Sequence, residues 1–146
     1  MRSVYSLQYS KKLLFLLHIL FLIFSRHPNV VGYKEAFFED ATQSLCLVMD
    51  FADDGDLYEM ITKNQKSNRL IEEHTIWSVL IETARALHVL HSKNVLHRDL
   101  KSANVFLQKN GSVKLGDMNV SKVAKKGLLY TQTGTPYYAS PEVWRD

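Results

Sequence analysis

Within His97-Arg98-Asp99-Leu100-Lys101-Ser102-Ala103-Asn104, three side chains of complementary chemistry share one short stretch. Asp99 offers a carboxylate that can accept a hydroxyl proton. Lys101 offers a cation for a transferring phosphate, and Asn104 an amide oxygen suited to a hard cation. Just beyond them, Val105-Phe106-Leu107 and Val113-Lys114-Leu115 are short apolar runs with Asn110-Gly111 between them. That dipeptide favours a two-residue hairpin loop, because both central positions take φ > 0. Counting outward from it pairs Lys109 with Ser112 and Phe106 with Leu115, and sets Asn104 opposite Asp117. Opposed residues have Cβ atoms ~5 Å apart, so an amide oxygen and a carboxylate would share the open end of the hairpin. Oxygen ligands of this kind suit Mg²⁺, which takes few protein ligands and keeps room for water and phosphate. Paired polar residues also end hairpins for solubility alone. Asp99 and Lys101 turn the reading toward phosphoryl transfer, where catalysis is mostly positioning and charge neutralisation.

The elements that must position these groups follow from the patterning upstream. Tyr33 to Phe38 and Leu45 to Phe51 are apolar runs separated by Glu39-Asp40-Ala41-Thr42-Gln43-Ser44, which predicts two adjacent strands. Asp53-Asp54-Gly55-Asp56 is a turn whose last Asp is placed to cap a helix from Leu57 to about Lys63, with a polar loop onward to Arg69. Glu72-Glu73 open a longer helix at its positive N-terminal end. Trp77, Leu80, Ala84, Leu87 and His91 fall at helical spacing, which predicts that this stripe faces the core.

The chain of 146 residues, 46% hydrophobic and 23% charged, has the composition of one globular domain rather than a disordered chain. A net charge of +3 is too small to indicate nucleic acid, and the lone Cys46 excludes an intrachain disulfide. The charge is unevenly spread. Residues 1–34 carry Arg2, Lys11, Lys12, Arg26 and Lys34 and no acid; the other thirteen basic residues stand with all fifteen acids after them. Residues 13–24, LLFLLHILFLIF, are apolar except for His18. A membrane span needs ~20 apolar residues, and the small-residue cleavage site of a signal peptide is missing before Ser25-Arg26-His27-Pro28. The run reads as a buried or ill-fitting helix, as a foreign upstream junction, or as a targeting segment. Residues 1–25 are thus expected to be an atypical N-terminal segment, with a globular unit over 26–146.

His97 to Asn104 resembles the catalytic loop of eukaryotic protein kinases, H-R-D-L-x-x-x-N. Asp117-Met118-Asn119 resembles the magnesium-binding D-F-G motif with its last two positions altered. Ala139-Ser140-Pro141-Glu142 resembles A-P-E in its Ser-Pro-Glu form, 24 residues lying between Asp117 and Glu142. Lys101 and Gly134-Thr135-Pro136-Tyr137-Tyr138 look like serine/threonine kinases. His27-Pro28-Asn29-Val30-Val31 and Thr131 to Glu142 look most like the NIMA-related family.

The resemblance implies an α+β, partial protein-kinase-like fold: hinge strands, helices and the catalytic-loop hairpin of the large lobe. It implies ATP and Mg²⁺ as cofactors, a protein substrate, and a cytoplasmic, cytoskeleton-associated setting without nucleic acid or membrane. Asp99 would be the catalytic base, Lys101 the γ-phosphate contact, and Asn104 and Asp117 the metal ligands. Met49 would be the gatekeeper, Asp50 and Ala52 would offer backbone groups to adenine, Phe106 would form the adenine floor, and Asp56 would reach the ribose. Thr131 matches the activating site, with Thr135 beside it and Arg98 to receive a phosphate; His97 matches a buried packing position. Departures are equally plain. The first glycine is Gly32 and the first acid Glu35, so residues 1–31 hold neither a G-x-G-x-x-G loop nor the glutamate that pairs with a small-lobe lysine. His18 stands where that glutamate is expected. The small lobe and the helices after Glu142 are therefore expected to be mostly missing. A kinase remnant acting by binding alone is the alternative.

Overall fold

The computed structural model describes residues 2–7, 27–39, 41–42, 44–117, 122–123 and 136–141. The expectations for the apolar run 13–24, for Met118 and Asn119, and for Thr131, Thr135 and Glu142 lie outside them.

Three strands make one antiparallel sheet in the order β1-β3-β2: β1 (Arg2–Leu7), β2 (Tyr33–Glu39) and β3 (Ser44–Asp50). β3 is central and paired on both edges, which suits its run of apolar residues; Cys46, Leu47 and Val48 are buried. β1 is a strand that the patterning did not announce, pairing from Arg2 opposite Asp50 to Leu7 opposite Leu45. β2 carries a bulge between Tyr33 and Glu35, which leaves Lys34 out of the ladder.

Helix α1 (Leu57–Lys66) begins as expected, with Asp56 Oδ1 accepting the Glu59 N–H at 2.8 Å. It runs one turn further than Lys63, and Ser67 closes its end through Lys63 O. Helix α2 (Glu73–Ser92) also forms, but its core-facing stripe is not the expected one. Trp77 and Leu80 are 53% and 56% exposed, and Ala84 and His91 are exposed too. Ala86 and Leu90 are buried instead, with Val79 packed beside them, and of the expected stripe Leu87 packs against the same core. A polar contact decides the rotation: Glu82 turns inward and accepts from Val113 N (2.7 Å) and Asn29 Nδ2 (2.5 Å).

Beyond α2, β4 (Val95–Leu96) pairs with β7 (Lys122–Val123), while β5 (Val105–Leu107) and β6 (Val113–Leu115) form the hairpin. Its inner face, Val105, Leu107, Val113 and Leu115, is buried in one core with Ala86, Leu90, Val30 and Leu47. The segment before β2 is stitched to the same hairpin. Leu115 N donates to Asn29 O (2.8 Å) and Val31 N to Leu115 O (2.9 Å), so His27 to Val31 lies along β6 as a parallel neighbour.

Candidate active site

The hairpin that delivers the metal-ligand candidates is one residue out of the expected register. Val105 faces Leu115, Phe106 faces Lys114 and Leu107 faces Val113. Gln108 N donates to Ser112 O (3.0 Å) and Gly111 N to Gln108 O (2.8 Å), so the loop is Lys109-Asn110-Gly111 rather than two residues. Gly111 supplies a positive φ of 83°, as in three-residue loops, and Asn110 Oδ1 fastens the turn by accepting from Ser112 N at 2.9 Å. Asn104 therefore faces Gly116, whose N–H donates to Asn104 O (3.0 Å), and Asp117 stands one position further on. A one-residue slip would normally send Asp117 to the opposite face of the hairpin. The backbone leaves the strand conformation there, with φ at +57°.

Around this end the polar groups of the loop converge. Lys101 Nζ lies 2.7 Å from Asp99 Oδ2. Buried Asn104 donates through Nδ2 to Asp99 O (2.7 Å) and Asp99 Oδ2 (3.2 Å), which leaves Oδ1 as the atom that could face a cation. His97 is buried and joins the two halves. Asp99 N donates to its Nδ1 (3.3 Å), so Nε2 carries the proton and donates to Gly116 O at 2.8 Å. Burial lowers the His97 pKa, against the opposing pull of the Gly116 carbonyl and the charges of Asp117 and Asp99. Both carboxylates thus act on the same imidazole. Arg98, at φ +69°, adds a second strained residue where the loop bends.

Among the described residues no group of three or more His, Cys, Asp and Glu side chains could hold a metal alone. An amide oxygen and a carboxylate fit Mg²⁺ nonetheless, since that ion usually takes one or two protein ligands and completes its shell with phosphate and water.

At the other end, Met49 is half-buried against the core, between β1 and β2 partners. The Asp50 N–H is committed to Gly32 O (2.7 Å), so that group is not on offer to an adenine. Ala52 is half-buried in the loop that follows. Phe106 lies over the site side of the hairpin, its ring edge 2.8 Å from where a Gly116 Cβ would stand. One Asp56 oxygen is used to cap α1, and its backbone bridges to Phe106. Ser102 Oγ lies 3.4 Å from Tyr138 Oη, linking the loop that carries Asp99 to residues 136–141.

Sequence reasoning missed the ionic cluster behind this end. Asp50 receives Lys34 (2.9 Å), Lys114 (3.3 Å) and the Gly32 N–H (3.1 Å). Burial pushes its carboxyl up, but the two lysines and the amide outweigh it and hold the pKa below the ordinary value. The inward Glu82 was missed as well. An acid in a helix carries no local sign of what it meets 31 residues later.

The protein kinase domain family matches residues 14–146. Serine/threonine-protein kinase Nek3 of Mus musculus is 41% identical over 123 residues, covering 83% of this chain and 23% of its own length. Nek1 of the same organism is 42% identical over 120 residues, covering 81% and 10%. The G2-specific protein kinase nim-1 of Neurospora crassa is 37% identical over 156 residues, covering 87% and 18%. The chain thus spans no more than about a quarter of the length of these relatives. With the catalytic-loop geometry, these matches place the chain in the protein kinase family, among serine/threonine kinases of the NIMA-related group.

Proposed function

We propose that this chain is the part of a serine/threonine kinase that accepts the hydroxyl proton and meets the γ-phosphate of ATP during transfer to a protein side chain. The observation that carries the reading is the knot around Asp99, with Lys101 at 2.7 Å and Asn104 bonded to both its carbonyl and its carboxylate. Asp99 accepts the substrate proton, and Lys101, beside it, meets charge developing on the transferred group. Asn104 Oδ1 and Asp117 would hold Mg²⁺, which when bound neutralises charge on the phosphates. Met49, the carbonyl rather than the N–H of Asp50, the backbone at Ala52, and Phe106 would frame the adenine, with Asp56 toward the ribose. A phosphate on Thr131, near Thr135, would pair with Arg98 and order the segment.

A second reading, binding without turnover, is favoured by one feature. No glycine precedes Gly32 and no acid precedes Glu35, so residues 1–31 hold neither a glycine-rich phosphate loop nor a glutamate to pair with a small-lobe lysine. Positioning is worth ~7–11 kcal/mol in such reactions, and losing half of it slows turnover by roughly a thousandfold. Radiolabelled phosphate transfer to a generic Ser/Thr peptide separates the readings. The 146-residue chain alone should transfer none. A version extended to a full kinase domain should transfer phosphate and stop on Asp99→Asn. Turnover by the short chain that Asp99→Asn abolishes would refute the second reading; an inert extended protein would refute the first.

A further inference from the structure

The Asp50 carboxylate stands where three segments of the chain meet. Lys34 reaches Oδ1 at 2.9 Å from the bulge in β2, the irregularity that removes it from the ladder. Gly32 donates its N–H to Oδ2 at 3.1 Å and accepts the Asp50 N–H in return at 2.7 Å. A Cβ on Gly32 would lie 2.8 Å from Oδ2, so glycine leaves the carboxylate its seat. From β6, Lys114 reaches Oδ2 at 3.3 Å with a side chain only 13% exposed. An amine so withdrawn from water needs a carboxylate, and losing that partner is costly. The lysines and the amide together keep Asp50 ionised at neutral pH despite its burial.

The two elements joined in this way serve opposite ends of the site. Asp50 ends β3 and leads into the stretch through Ala52; Lys114 precedes Gly116 and Asp117 on β6. We propose that the Asp50 carboxylate is a positioning residue, a strut between Lys34 and Lys114 that fixes the end of β3 against the Gly116–Asp117 corner. A nucleotide spanning both ends would then find its adenine and phosphate subsites in register. This consequence rests on the Mg·ATP reading above, whereas the strut itself does not.

The test uses the 146-residue chain with Asp50→Asn, Lys114→Met and the double variant. Asn keeps the shape of Asp50 and an acceptor for Gly32 but loses both ion pairs. Amide hydrogen exchange is followed at Asp50, whose N–H meets Gly32 O, and at Gly116, whose N–H meets Asn104 O. Each single variant should speed exchange at both amides by about tenfold, and the double variant should add nothing further. Affinity for a fluorescent ATP analogue with Mg²⁺ should fall about tenfold in each, while in Lys114→Met adenosine affinity stays within about twofold. Faster exchange at Asp50 with Gly116 unchanged overturns the strut, as does an equal loss for adenosine and Mg·ATP in Lys114→Met. If the unaltered chain binds neither ligand, the binding-only reading of this chain fails and exchange at Gly116 alone decides the strut. If Asp50→Asn loses its helical signal, Lys114→Met decides, because it leaves Asp50 paired with Lys34 and Gly32.

Discussion

Gly116 is constrained by space rather than by dihedral angle. Its N–H and C=O are held by Asn104 and His97, and an added Cβ would meet Phe106 Cε2 and Val31 Cγ2 at 2.8 Å each. Gly116→Ala should therefore cost about 1–3 kcal/mol by overpacking, read as a lower urea midpoint. A variant as stable as the parent would mean that the hairpin corner is loose. His97 makes a second prediction, with a sign. Its folded pKa lies below the ordinary 6.5, mainly through burial. Between those two values the unfolded chain binds more protons, so stability falls as pH drops below about 6.5, by at most about 1.4 kcal/mol per pH unit. His27 is lowered too, first by burial and then by Lys114, Arg85 and Lys93, and adds in the same direction. Urea midpoints from pH 7 to 5 should fall more steeply for the parent than for His97→Gln. Parallel slopes would remove His97 as a source of the effect.

At the scale of elements, Glu82 decides how α2 sits. Its carboxylate accepts from Asn29 Nδ2 and Val113 N, tying the helix to β6 and to the segment laid along β6. Glu82→Ala leaves the Val113 N–H without this acceptor and should destabilise by about 2–4 kcal/mol, with Glu82→Gln losing about half as much. Equal losses in both variants would mean that charge, not the acceptor, matters. The same residue shows what was legible in the sequence. Elements whose signals are local were readable: the Asp56 cap, the start of α2 and the two hinge strands all stand where their residues placed them. The stripe on α2 was not, because a helix apolar on several sides takes its rotation from a distant partner. The Asn110-Gly111 turn was read correctly as a hairpin and wrongly in length. Asn-Gly serves both loop types, and Gln108 pairing with Ser112 selects the longer one. The contacts among Asp99, Lys101 and Asn104 are independent of that slip, since they lie within one loop and do not depend on strand register. The Asp50 cluster was illegible, because its members are brought together from three segments.

For the molecule as a whole, the rotation of α2 has a consequence for solution behaviour. Trp77 and Leu80 of the expected stripe point outward, and with Ile76 and Ile81 beside them all four are between 46% and 56% exposed on successive turns. His27, Arg85 and His88 border the shallow open groove that continues from Leu80 and Ile81. Scattered exposed apolar side chains are ordinary, but a contiguous strip along one helix is an aggregation liability. The core contacts of α2 run through Ala86 and Leu90, with Val79 and Leu87 beside them, rather than through this strip. The chain expressed alone should therefore self-associate at micromolar concentration, and Leu80→Glu with Ile81→Lys should suppress this while keeping the helical signal and the urea midpoint within about 0.5 kcal/mol. Light scattering and urea titration on the same samples distinguish the outcomes. If the paired substitution leaves association unchanged, another surface is responsible. If it lowers stability by more than about 2 kcal/mol, these side chains are buried in the folded chain and the orientation of α2 described above is wrong.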